Sequence, residues 1–155
     1  MSSSKLEDEA RSVLAALPRY LRSSVRSTHE VVAYLRRRGL SPQRAARAVS
    51  EYQARGLLDD EACARLWAEE WARRGYAWAA IRTKLSLKGL DERTIERVAR
   101  RLGMVGDDEA RARLIASAYL RRHAATQTSQ RVLARRLASR GFDADLIEHI
   151  LNESV

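Results

Sequence analysis

Apolar residues recur at helical spacing along most of the chain, and nearly every such stretch stops at a glycine. Val31 and Leu35, Ile81 and Leu85, and Leu133 and Leu137 are i, i+4 pairs, each placing two aliphatic side chains on one helix face. Further on, Ile95, Val98 and Leu102 correspond to Ile147, Ile150 and Leu151, with Ala45, Ala48 and Tyr52 a weaker counterpart. Gly39, Gly56, Gly75, Gly89, Gly103 and Gly141 each follow such a segment, as expected of residues that end helices in the left-handed conformation. The start signals agree with the stops. Ser27-Thr28-His29-Glu30 has the form of a capping box, Ser41-Pro42 sets proline at a first helical position, and Asp91 and Asp143 are suitable N-caps. Hairpin dipeptides and sustained β-branched alternation are missing, so the pattern predicts an all-α protein.

The same pattern repeats at an interval of about 50 residues. YLRRRGL (34–40), KLSLKGL (84–90) and RLASRGF (136–142) superpose on their glycines, and each introduces a second apolar helix. Upstream, DDEACARLWAEEWARR (59–74) and DDEARARLIASAYLRR (107–122) are identical at 10 of 16 positions, acidic at the positive end of the helix dipole and basic at the negative end. The corresponding amino-terminal helix, roughly Leu6 to Arg22, is more degenerate. Three tandem three-helix repeats are expected, over residues 1–57, 58–105 and 106–155. Their cores are small and local, which predicts an elongated array, free to curve, with some freedom between units.

Charge adds a preference for acidic partners. The chain has 29 Lys+Arg against 20 Asp+Glu, a net charge of +9, which favours nucleic acid or an acidic protein surface. All the basic residues except Lys5, Lys84 and Lys88 are arginine, the side chain that forks onto phosphate and carboxylate. A codon bias towards GC, consistent with the many alanines, explains the arginine preference equally well. The lone Cys63 excludes an internal disulfide and reads as a small buried side chain in a reducing, cytoplasmic setting. No apolar run is long enough for a membrane span, so no membrane partner is expected.

Catalytic chemistry is not legible. His29, His123 and His149 are scattered without ligand spacing, and nucleophile-elbow, Walker and dinucleotide motifs are missing, so neither an enzyme nor a metal or other cofactor is expected. The runs Asp59-Asp60-Glu61 and Asp107-Asp108-Glu109 read as helix-start acids. Trp67 and Trp71 align with Ile115 and Tyr119 and therefore read as core positions. Trp78, whose counterparts are Thr28 and Gln130, is either a partner contact or a local packing residue. The basic residues Arg38, Lys88 and Arg140 suit the helix ends they occupy. Taken with Arg36, Arg37, Arg73, Arg74, Arg82, Lys84, Arg135 and Arg136, they exceed what capping needs and form the candidate binding set together with Trp78.

The string GLLDDEACARLWAEEWARRGY (56–76), followed by IRTKLSLKGL (81–90), resembles the central motif of the RecX family, bacterial regulators of the RecA recombinase. Further similarity lies at Ser27–Leu35 and at Arg140-Gly141-Phe142-Asp143, so that the resemblance runs from about Leu14 to Leu151. It departs from the family pattern at Ala77-Trp78, where Gly-Pro is usual, and at Cys63, where phenylalanine is common. The resemblance implies three three-helix repeats and a monomeric, non-enzymatic protein lying along the groove of the RecA–single-stranded DNA filament. There it would inhibit ATP hydrolysis, strand exchange and coprotease activity, with weaker, non-specific binding of single-stranded or duplex DNA through its basic surface. The alternative is a helical DNA-binding protein of helix-turn-helix type, since two helices joined at a glycine turn also describe that motif.

Overall fold

The computed structural model describes residues 2–154. Among them nine α-helices follow one another and no strand occurs: α1 (Ser2–Ser23), α2 (Thr28–Arg37), α3 (Pro42–Ala54), α4 (Asp60–Arg73), α5 (Trp78–Leu87), α6 (Glu92–Arg101), α7 (Asp108–Leu120), α8 (Gln127–Ser139) and α9 (Ala144–Glu153). The all-α expectation holds. The first helix is longer than its apolar pattern suggests and carries Pro18 in its interior, where the ring nitrogen has no hydrogen to give the preceding turn.

Local chemistry sets the ends. Ser27 and Glu30 form the expected capping box, Ser41 and Asp91 accept the amides of Arg44 and Thr94, and Asp143 accepts that of Asp145. A second capping box, Thr126 with Ser129, opens α8 and was not signalled by a glutamate at the third position. The thiol of Cys63 is buried and donates to the Arg26 carbonyl at 3.1 Å.

The apolar faces gather into three clusters, one per group of three helices. Leu17, Val31, Leu35, Leu40 and Val49 form the first, Ala64, Ala68, Ile81, Leu85, Ile95 and Val98 the second, and Ala112, Ala116, Leu133, Leu137, Phe142 and Ile150 the third. Each fully buried leucine or isoleucine contributes about 1.5–3 kcal/mol. The clusters are built by helices adjacent in the chain, with two exceptions at their margins: Leu58 packs into the first cluster and Ala77, ahead of α5, into the third. The accessible surface of 10213 Å² exceeds the roughly 7,900 Å² expected of a compact monomer of this mass, as an elongated array of small cores requires.

The units meet at two joints with a common plan. In the first, the N-terminal turn of α2 enters the second unit: the Thr28 amide and hydroxyl each donate to Asp60, both at 2.8 Å, and the Ser27 hydroxyl donates to the Lys88 carbonyl at 2.6 Å. In the second, the N-terminal turn of α5 enters the third unit: the Trp78 amide donates to Asp108 at 2.8 Å and the Ala77 amide to the Arg140 carbonyl at 2.9 Å. Gly89 and Gly141 lie against the entering turns. A side chain at Gly89 would overlap His29, and a Cβ at Gly141 would stand 2.7 Å from that of Ala80. The pair Asp59-Asp60 therefore divides its tasks. Asp59 caps its own helix through the Ala62 amide, while Asp60 and Asp108 hold the preceding unit. Reading these runs as helix-start acids placed them correctly but missed the second role.

Candidate binding surface

Aromatic and cationic side chains meet on one side of the second unit, close to the second joint. Tyr76 follows the glycine that ends α4, and its ring is covered by Lys84 from α5 and by Arg140 from the end of α8, each 4.5 Å from the ring centre. Lys84 is also 5.6 Å from the Trp71 ring, and Lys88, one turn further along α5, is 4.9 Å from Trp67. The i, i+4 spacing on α4 stacks Trp67 and Trp71 with centres 6.3 Å apart. Arg140 is fixed a second way, because its guanidinium donates to the Arg74 carbonyl at 2.7 Å.

Cations over ring faces in a half-buried setting are held by the ring quadrupole, at about 0.5–2 kcal/mol each. Among the described residues no carboxylate neutralises Lys84 or Arg140, whereas Lys88 is 3.2 Å from Glu30 of α2. Trp67 and Trp71 are accordingly half-buried at the rim and not in the core proper. Their alignment with Ile115 and Tyr119 identified an apolar face correctly but not its edge. Lys84 and Lys88 are half-buried because their stems run over the indoles.

The remaining candidates fall in three places. Arg36 and Arg37 are exposed on the last turn of α2 without carboxylate partners among the described residues, and Arg38 lies 5.1 Å over Tyr34. Arg73 and Arg74 are tied to Glu70 at 2.6 and 2.9 Å, and Arg82 is tied to Glu92, so these three present partly neutralised charge. Arg135 and Arg136 are exposed on the last turns of α8, without carboxylate partners among the described residues. Trp78 is half-buried against the second cluster, while its amide serves the joint. Lys84, Arg140 and Arg74, as far as 66 residues apart in sequence, are brought together around Tyr76, but Arg36–Arg38 stand on the first unit, away from that group.

Two further features bound the chemistry. No group of three or more His, Cys, Asp or Glu side chains is placed to hold a metal ion among the described residues. No helix is long and apolar enough to cross a membrane. Burial, and then the nearby carboxylate of Asp60, push the Cys63 thiol up to about 11, so it stays protonated at neutral pH.

A tandem array of three-helix units, each with its own small core, is a helical-repeat protein in class. Comparison with known proteins narrows that class. Residues 59–98 match the second three-helix domain of RecX. The regulatory protein RecX of two strains of Lactobacillus delbrueckii subsp. bulgaricus is 32% identical over 142 residues, spanning 88% of this chain and 51% of each relative. The chain thus spans about half the length of the curated relatives it matches. Among solved structures, RecX from Lactobacillus salivarius superposes with a TM-score of 0.76 at 20% identity, covering 95% of this chain and 97% of its own. A second RecX crystal structure gives 0.73 at 18% identity over 97% of this chain and 75% of its own, and both share the fold. The chain is thus similar in sequence to RecX regulatory proteins over most of its length and shares the fold of the RecX structures.

Proposed function

We propose that this protein is a non-enzymatic regulator that binds the RecA–single-stranded DNA filament and restrains its ATPase, strand-exchange and coprotease activities. The observation that supports it most is the form of the array: three successive units, with arginines on the first and third that have no carboxylate partner among the described residues, and cations seated on aromatic rings in the middle. A long array contacts several subunits of a polymer at once, and each contact after the first is intramolecular, so weak contacts sum to firm binding. Positive charge without carboxylate partners speeds approach to a DNA-bearing polymer. Arg36, Arg37 and Arg38 on the first unit and Arg135 and Arg136 on the third are the outer contacts in this reading. Lys84, Arg140 and Tyr76 are the central one. The protein acts in the cytoplasm, as a monomer on each site it occupies.

Sequence-specific DNA reading is less favoured. The third helix of a unit would be the recognition helix, but α6 and α9 open with acids, Asp91-Glu92 and Asp143 with Asp145, which repel phosphate where a recognition helix meets DNA. Non-specific, salt-sensitive DNA binding remains compatible with the surface.

The test is co-sedimentation with the cognate RecA filament, together with its single-stranded-DNA-dependent ATPase. Binding and a fall in ATP hydrolysis are expected, and reversal of charge at Arg36, Arg37 and Arg38 weakens filament binding about tenfold or more at low salt. No binding and unchanged hydrolysis would sink the proposal.

A further inference from the structure

The two joints differ at one position that the repeat makes directly comparable. Glu30 is the third residue of α2 and Ala80 the third residue of α5, the helices that enter the first and second joints. Across each joint stands a cation that closes the second helix of the receiving unit, Lys88 in one case and Arg140 in the other. Each accepts on its carbonyl a bond from the N-cap of the entering helix. At the first joint Glu30 acts twice: one carboxylate oxygen accepts the Ser27 amide, and the other pairs with the Lys88 ammonium at 3.2 Å, both side chains being half-buried. At the second joint Ala80 brings no acid to Arg140. The guanidinium turns instead to the Arg74 carbonyl and the Tyr76 ring.

Charge that the first joint balances is therefore left unbalanced at the second. Lys84 of α5 reaches the same Tyr76 ring as Arg140, so cations from neighbouring units share one ring, with no carboxylate for either among the described residues. Like charges this close repel each other across the joint, although the ring attracts both. Their donors are also largely unused. Arg140 spends one N–H on the Arg74 carbonyl out of the five a guanidinium has, and the Lys84 ammonium gives none of its three to a described residue.

We propose that a carboxylate of an acidic protein segment binds between Lys84 and Arg140 beside Tyr76 and does at the second joint what Glu30 does at the first. The chain itself argues the occupant, because at the equivalent joint the group on the closing cation is a glutamate side chain. The Tyr76 ring already carries two cations, which favours an acidic group over a stacked base at this spot. The site coincides with the central contact of the proposed function, and the identity of its natural partner rests on that reading. Binding and joint are linked reciprocally: a bound carboxylate holds α5 in the third unit, and a seated α5 holds the two cations together for the carboxylate.

Poly-L-glutamate is the probe, with an oligodeoxythymidylate as its phosphate counterpart, and neither needs a filament. Hydrogen exchange of the full chain reads the second joint at the Ala77 and Trp78 amides and the first at the Thr28 amide. Poly-L-glutamate at low salt should slow exchange at Ala77 and Trp78 about threefold or more and leave Thr28 unchanged, since Glu30 already serves that joint. Ala80→Glu supplies the carboxylate from within, so it should slow the same two amides without probe and bind the probe about tenfold more weakly. Ala80→Gln should do neither, and Ser86→Glu, an equal change of charge at an exposed position of α5, should weaken binding far less. Lys84→Ala keeps the test independent of how the new glutamate packs, because the Lys84 side chain makes no hydrogen bond of the joint. This variant should lose the protection of Ala77 and Trp78 by the probe. A wild type that does not bind poly-L-glutamate overturns the inference, as does binding without slower exchange at the two amides, or an Ala80→Glu variant that behaves like Ser86→Glu. Slowing by the oligonucleotide and not by poly-L-glutamate overturns the carboxylate assignment. Failure to bind the RecA filament with these responses intact counts against the proposed function alone.

Discussion

The two joints reach one geometry by different chemistry. At the first, side chains carry the contact: Thr28 grips Asp60 with both amide and hydroxyl, Ser27 reaches the Lys88 carbonyl, and Lys88 is paired with Glu30 across the boundary. At the second, the entering turn is Ala77-Trp78 and offers only backbone amides, to Arg140 and Asp108. What it lacks in side-chain donors is supplied from the other side, where Arg140 reaches back to the Arg74 carbonyl and over Tyr76. The conserved plan of the joint is thus a carboxylate facing a helix start and a glycine beneath it, and the rest is exchangeable. Trp78 stands where the family motif usually has proline, a residue with no amide hydrogen, so in this chain that departure provides the donor for Asp108.

Three pairs of substitutions probe the difference, in falling order of effect on unfolding free energy by urea titration. Gly89→Ala should cost about 3–4 kcal/mol, because a left-handed backbone and overlap with His29 act together, whereas Gly39→Ala should cost only about 1–2 kcal/mol for the backbone alone. Equal losses at both glycines would show that the first joint is not closed in solution. Asp60→Ala should cost about 2–3 kcal/mol and Asp108→Ala about 1–2 kcal/mol, following the two bonds against one that each carboxylate receives from the entering turn. Thr28→Pro should be worse than Trp78→Pro, the latter losing about 1 kcal/mol, since proline suits a first helical position and only the amide donor is removed. If Trp78→Pro is neutral, the Asp108 bond adds nothing to the second joint.

The smallest effect concerns pH. The Cys63 thiol is held up to about 11 from 9.0, so between those values the unfolded chain has lost a proton that the folded chain keeps. Stability therefore falls as pH rises from about 9 to about 11, by about 1–2 kcal/mol, and Cys63→Ala should remove that part of the slope. At neutral pH the thiol should react slowly with iodoacetamide, and faster in Asp60→Ala, where the first joint is loosened and one source of the shift is gone.

Much of the fold is legible in the sequence because its determinants are local. Ser27 and Glu30, Ser41 and Pro42, and the i, i+4 aliphatic pairs act within one or two helical turns, and the repeat supplies each pattern more than once. The joints are not legible, since Thr28 and Asp60, or Trp78 and Asp108, are some 30 residues apart, and an acidic pair at a helix start looks the same whether it serves one helix or two. The cation–aromatic band escaped for a related reason. A tryptophan and an isoleucine satisfy the same apolar face, but only the packing of α5 against α4 tells which ring face Lys84 and Lys88 cover. Of the candidate set, Arg36, Arg37, Arg135 and Arg136 are as exposed as the charge pattern suggests, while Arg73, Arg74 and Arg82 already have carboxylate partners that helix spacing or the neighbouring helix provides.

The division of labour within Asp59-Asp60 has a mechanical consequence. Pulled from its two ends, the array loads the contacts between units before the clusters within them, and those contacts are a few hydrogen bonds at helix starts and not broad apolar faces. Asp60 can release Thr28 while Asp59 still holds α4 wound, so the chain can lengthen by opening a joint without melting a helix. An array of this build should yield first between its units and last within them.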